Sequence, residues 1–248
     1  MTSVEILGCR VDGCDAAQAV RRIVALAALP EASLVVTLGT EMIVYAQRDR
    51  RFRNTLESSA LSLCDTIGVL LAARLYGAKI PERVAGVELL EPLCAALAAH
   101  NRSVYLLGAK GDTAARAAAA LRARVPALRV AGARDGYFPD TETGAVAGEI
   151  ASCGADVLFV GLGSPRQEFF IAEHLARTGC SVGIGVGGSF DVLAGTVRRA
   201  PKLWRRLNLE WFHRLVSEPK RWRRQLALPR FVWLVLRDRV PSLSRRYS

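Results

Sequence analysis

The chain has 248 residues, 51% of them hydrophobic, and a formal charge of +11. That is enough for one large α/β domain with a full core, and no long polar tract marks a disordered protein. No run approaches the ~20 apolar residues of a spanning helix. The start, MTSVEILGCRVDG, lacks the basic and apolar regions of a signal peptide.

In chain order, DAAQAVRRIVALAAL (15–29) reads as an amphipathic helix. SLVVTL (33–38) is a buried strand that leaves Thr37 and Gly39 at its tip. ALSLC (60–64) is a second strand, and it runs straight into a carboxylate, Asp65. TIGVLLAARLYG (66–77) and VELLEPLCAALAAH (87–100) are helical patterns. SVYLLG (103–108) is a strand, TAARAAAALRARV (113–125) a helix and LRVAG (128–132) a strand. ADVLFVGLG (155–163) is a strand, then PRQEFFIAEHLART (165–178) a helix. Ser164 suits its N-cap and Pro165 its first helical position. CSVGIGVGG (180–188) is the last strand, with Asp191 just beyond. This alternation predicts a mostly parallel sheet covered on both faces.

An open α/β sheet places its ligand at the carboxyl ends of its strands. Asp65 stands at such an end. Burying its charge is costly unless it is paired or exposed. It reads either as the cap of the helix starting near Thr66 or as a working group on the rim. Three strand ends carry glycines: Gly108 and Gly111, Gly161 and Gly163, and Gly187. Each alone fits a tight βα turn. Together they suit a nucleotide-sized polyanion, because glycine lets backbone N–H groups approach phosphate. No GK[ST] and no dinucleotide fingerprint follows, which disfavours ATP and NAD.

Six cysteines form no CxxC pair and three histidines are scattered. They read as reduced, mostly buried thiols, with no metal site and no cofactor. The charge is uneven. Residues 198–248 hold fifteen Lys and Arg against three acids, whereas residues 1–197 hold nineteen against twenty. The boundary therefore falls at 197/198, between an α/β domain and a basic, aromatic-rich helical appendage. In that appendage Ser217 suits a helix cap, and Arg221 and Arg224 share a face. Arginines interleaved with Trp and Leu fit a membrane interface. They also fit stems laid over an ordinary core, a diphosphate or, ranked lower without a known motif, a nucleic acid.

The blocks TLGTEM (37–42), Asp65-x-x-Gly-Val, PERVAG (81–86), YLLGAKG (105–111), DGYF (135–138), VGLGSPRQE (160–168), GVGGSFDVLAG (185–195), RRAP (198–201) and LEWFHRLVSEPKRWRR (209–224) occur in that order. Together they resemble the WecG/TagA/CpsF family of bacterial glycosyltransferases from about Val4 to Arg224. The resemblance implies a Rossmann-like fold and an inverting, metal-independent enzyme. It would move N-acetylmannosamine or a related sugar from a UDP-sugar to a polyprenyl-diphosphate-linked sugar. The reaction would occur at the cytoplasmic face of the membrane, in teichoic acid, capsule or exopolysaccharide synthesis. The resemblance implies catalytic roles for Asp65, as general base, and for Thr37. It implies substrate contacts at Arg83, Gly108, Gly136, Tyr137, Phe138, Gly161, Gly163, Gln167, Glu168, Gly187 and Asp191. Arg214, Arg221 and Arg224 would neutralise a diphosphate. Two positions depart from the pattern: many members carry Asn where Gly39 stands and Gly where Thr66 stands. A different nucleotide-dependent Rossmann enzyme, such as an oxidoreductase, is the runner-up, and a nucleic-acid module on the basic tail is third. Homo-oligomerisation is open to a compact α/β domain. Truncation after about Gly195 is expected to spare the fold and weaken membrane association and catalysis.

Overall fold

The computed structural model describes residues 2–197, 200–201, 204 and 226–239. Arg214, Arg221, Arg224 and the Ser217 cap lie outside the described residues. Eight strands form one sheet: β1 (Ser3–Ile6), β2 (Cys9–Asp12), β3 (Ser33–Leu38), β4 (Leu61–Cys64), β5 (Ser103–Gly108), β6 (Arg129–Arg134), β7 (Val157–Gly161) and β8 (Val182–Gly185). Their order is β1-β2-β4-β3-β8-β7-β5-β6, and every pairing is parallel except β1 with β2. The fold is the expected Rossmann-like α/β sheet.

The antiparallel hairpin at the edge is absent from the chain-order reading. Its strands are four residues each, too short for a period to show. The turn is Leu7-Gly8, with φ of 52° and 77°, the left-handed pair that a two-residue hairpin turn demands. Asp12 then straps this hairpin to the sheet: its Oδ2 accepts from the Ser62 backbone N at 2.8 Å.

Side chains alternate across the sheet. Along β3, Leu34, Val36 and Leu38 face one apolar cluster and Val35 the other. On the first face lie α2 (Thr40–Ala46), α3 (Arg50–Glu57), α4 (Ile67–Leu75), α7 (Thr143–Ser152), α8 (Arg166–Thr178) and α10 (Ala227–Arg239). On the second lie α1 (Ala16–Leu26), α5 (Gly86–Ala99), α6 (Thr113–Arg124) and the short α9 (Ser189–Leu193). A capping box starts α1: Asp15 accepts from Gln18 N at 2.7 Å, and Gln18 Oε1 accepts from Asp15 N at 3.0 Å.

Two details differ from expectation. Helix α8 begins at Arg166, with Pro165 in the N-cap position and no side-chain cap. The Gly163 carbonyl accepts from Gln167 N at 3.0 Å, so the turn at the strand end supplies the start that Ser164 was expected to give. The second concerns α10. Phe231 and Val235 are 2% and 3% exposed and belong to the first core cluster. The charge boundary at 197/198 is therefore not a packing boundary, and removing everything after Gly195 removes part of the core.

Candidate active site

Strands β3 and β8 are neighbours in the sheet but far apart in chain order. Helix α2, after β3, packs on one face, and α9, after β8, on the other. Diverging connections open a crevice at the carboxyl ends of these strands. Thr37 sits at its base, 8% exposed, and its hydroxyl donates to the Gly185 carbonyl at 2.8 Å. It ties β3 to β8 where the two connections part.

Asp65 follows β4 at the same rim and is half-buried. Its Oδ1 accepts from the Gly86 backbone N at 3.1 Å, at the first residue of α5. The cap of α4 is a different residue, Thr66, whose side chain accepts from Val69 N at 3.5 Å. Asp65 is thus not the cap of the helix that follows it. It is aimed across the rim, toward the start of α5. A β-carbon built on Gly86 would stand 3.4 Å from Ser189 Oγ and 3.6 Å from Thr37 Cγ2. Asp65, Thr37 and the β8–α9 turn therefore converge on one point.

The PERV segment is held there too. Val84 N donates to the Cys64 carbonyl at 2.7 Å. Arg83 lies 3.5 Å from Glu88, and its side chain is 21% exposed. The neighbouring thiol of Cys64 is no nucleophile: burial, then the Asp65 charge, pushes it up to about 12.

The rim glycines divide into two kinds. At Gly108, with φ +142°, a β-carbon would stand 2.5 Å from the Gly161 backbone. One on Gly136 would meet Leu162 Cδ2 at 2.5 Å, and one on Gly161 would meet Phe190 Cδ2 at 2.8 Å. These three let backbones and core side chains close up. At Gly163 and Gly187 nothing described lies within 4 Å of a β-carbon. Of the candidate glycines at the β7 and β8 ends, these two leave room for a ligand. Asp191 is half-buried in α9, and its carbonyl accepts from Thr196 Oγ1 at 2.8 Å.

Gln167 and Glu168 lie beneath the rim, at 3% and 0% exposure. Tyr137 is 75% exposed, while Phe138 is buried. Arg166 was not among the expected site residues, yet it organises this side. It donates to the Gly136 carbonyl at 2.8 Å and the Phe138 carbonyl at 2.5 Å, and stacks on the Phe138 ring at 4.6 Å. The DGYF segment is thereby pinned to the start of α8, which leaves Tyr137 outside. The only sequence signal was its place in the PRQE block.

The two departures from the family pattern touch each other. A β-carbon on Gly39 would stand 3.4 Å from Thr66 Cγ2. The bulk absent at one position is present at the other, on the Asp65 side of the crevice. Among the described residues, no group of three His, Cys, Asp or Glu comes together, and no helix is long and apolar enough to cross a membrane.

Residues 4–245 match the Glycosyl transferase WecG/TagA/CpsF family. Among curated proteins, the chain is 37% identical over 206 residues to an enzyme of Bacillus subtilis (strain 168). The match spans 83% of this chain and 80% of the relative. It is 35% identical over 216 residues to one of Bacillus spizizenii, spanning 87% and 83%. Both relatives are named N-acetylglucosaminyldiphosphoundecaprenol N-acetyl-beta-D-mannosaminyltransferase.

Proposed function

The chain belongs to the WecG/TagA/CpsF family of glycosyl transferases, and from that premise we propose that it transfers N-acetylmannosamine or a related sugar from a UDP-sugar to a polyprenyl-diphosphate-linked sugar. The names of both relatives support this acceptor and this sugar. The product would enter a cell-surface polymer such as teichoic acid. The observation that carries the proposal is the carboxylate of Asp65, oriented by Gly86 N beside the switch-point crevice.

In this reading an acceptor hydroxyl attacks the anomeric carbon of the donor. The C–O bond to UDP breaks as the new glycosidic bond forms, and the carbon inverts. Asp65 takes the hydroxyl proton, and UDP leaves with the bonding electron pair. Asp65 needs no unusual basicity, since the hydroxyl becomes acidic only in the transition state. Arg83 faces the developing diphosphate charge, where stabilisation matters most. Arg214, Arg221 and Arg224 are proposed to join it there. Gly163 and Gly187 leave room for the donor, with Tyr137 and Asp191 at the edges. Thr37 holds the crevice floor, and the Gly39–Thr66 pair shapes the acceptor side.

The test is UDP release from a panel of UDP-sugars, with a polyprenyl-diphosphate-GlcNAc analogue and EDTA present. Acceptor-dependent release with UDP-N-acetylmannosamine, undiminished by EDTA, is expected. Loss of release in EDTA, restored by a divalent cation, would end the metal-independent reading.

We also place the enzyme at the inner face of the cell membrane. Val232, Trp233 and Leu236 of α10 are exposed, together with Leu71 and Leu75 of α4, against which α10 packs. Arg230 and Arg237 are exposed beside them. Such a surface suits anionic headgroups over an apolar boundary. Trp233→Glu with Leu236→Glu is expected to weaken flotation with anionic vesicles by about tenfold or more, since each exposed anchor is worth about 1.5–3 kcal/mol when buried. Unchanged flotation would move the contact elsewhere.

A further inference from the structure

One carboxylate of the crevice wall has no role in this chemistry. Glu168 is fully buried, on the first turn of α8. Its Oε1 accepts from Gln167 Nε2 at 2.6 Å. Its Oε2 is buried and has no hydrogen-bond partner among the described residues. No described cation is paired with it. Gln167 is buried too, and its other amide atom, Oε1, accepts from the Gly187 backbone N at 3.0 Å. A β-carbon on Gly185 would stand 2.6 Å from Gln167 Nε2 and 3.1 Å from Glu168 Oε1. The two side chains are therefore wedged under the end of β8, and only glycine at 185 admits them.

We propose that Glu168 is a positioning residue that acts through Gln167 to hold the Gly187 turn, one wall of the donor crevice. This rests on the reading of that crevice as a UDP-sugar site. The bonding sets the order of events. Gln167 has two conformations of its planar amide to choose from. Only the one with Nε2 toward Glu168 turns Oε1 toward the Gly187 N–H. A carboxyl oxygen, which accepts, makes that choice. An amide or alkyl group in its place makes it less firmly or not at all.

The charge state follows from the surroundings. A buried carboxylate with no cation beside it among the described residues is driven to bind its proton. Burial raises Glu168 above the usual carboxylate range, against the hydrogen bond from Gln167, and the nearby acid Glu41 adds to the rise. A protonated carboxyl still offers its carbonyl oxygen to Gln167, so the relay works with the proton on.

The sign of the pH effect is fixed by that rise. The folded chain holds the Glu168 proton more tightly than the unfolded chain. The contribution is complete below the ordinary glutamate range and is lost as pH rises through the raised folded value. Glu168→Gln cannot lose a proton, so it removes that decline.

The experiment measures kcat and donor KM, and melting from about pH 4 to 9, for wild type, Glu168→Gln, Glu168→Ala and Gln167→Ala. Glu168→Gln is expected to stay within about threefold of wild type in kcat, with a melting curve flatter against pH. Gln167→Ala is expected to raise donor KM about tenfold or more and change kcat little. Glu168→Ala is expected to follow Gln167→Ala or to melt early. A Glu168→Gln enzyme that folds like wild type but loses more than about 100-fold in kcat would overturn the proposal, because it would make the carboxylate itself part of the chemistry. So would a Gln167→Ala enzyme with unchanged donor KM. Were wild type inactive with every UDP-sugar, the function reading would fall alone. The pH dependence of melting would still decide the state of Glu168.

Discussion

Asp65→Asn is expected to lower turnover by about 10²–10⁴-fold, the usual worth of a positioned general base, with little change in melting temperature. The geometry makes this substitution clean. Asparagine keeps an oxygen that can accept from Gly86 N, so the tie to α5 survives. What it loses is the ability to take a proton. Thr66 already caps α4, so the start of that helix does not depend on the charge of Asp65. Two further variants separate the roles. Thr66→Ala should cost about 0.5–2 kcal/mol of stability, the worth of an N-cap, without a loss of the size expected for Asp65→Asn. Asp65→Ala should lose both activity and the α5 tie. An Asp65→Asn enzyme with full turnover would leave Asp65 as a structural link between β4 and α5 and send the search for a base elsewhere on the rim.

That link shows what a sequence hides. Asp65 was legible because a buried strand ran into a charge. Its partner was not: Gly86 lies 21 residues on, and its backbone N–H is common to every residue type but proline. The strand ends were legible from apolar runs closed by glycine, and β3 and β5 start and stop as the pattern says. What each glycine does was not. Gly108 and Gly163 look alike in sequence, yet one abuts a backbone and the other faces open space. Close approach is a property of two chain segments and leaves no mark on one. Arg166 was hidden for the same reason, since it holds carbonyls 28 and 30 residues upstream. Helices α2 and α3 are seven and eight residues long, too short for a clear helical period.

Phe231→Ala is expected to cost about 3–5 kcal/mol, the range for truncating a buried aromatic, or about 6–20 °C in melting temperature for a domain of this size. In the sequence the tail reads as an outlying basic appendage because charge dominates its composition. Its apolar run, FVWLVL, has no polar residue to reveal which face is buried. The structure resolves it: Phe231 and Val235, four apart, enter the core, while Val232, Trp233 and Leu236 stay outside. Phe231 and Leu228 pack over Gly68 in the first turn of α4, where a β-carbon would lie 3.9 Å and 3.7 Å from them. The far end of α10 is fastened as well. Tyr76 donates to Asp238 at 2.5 Å, and Arg239 lies over the Tyr76 ring at 3.8 Å. Burial and then Asp238 push Tyr76 up to about 12, so it keeps the proton it donates at any working pH. Helix α4 starts at the residue after Thr66, itself next to Asp65. Loosening α10 should therefore reach the rim as well as the core. Phe231→Ala is expected to lower kcat at a temperature where it is still folded, whereas Trp233→Glu, on the exposed face, should lower vesicle binding and leave melting unchanged. Equal melting of Phe231→Ala and wild type would return α10 to the status of a separable appendage. A large drop in melting shared with truncation after Gly195 would make the last described helix a structural part of the catalytic domain, whatever its charge.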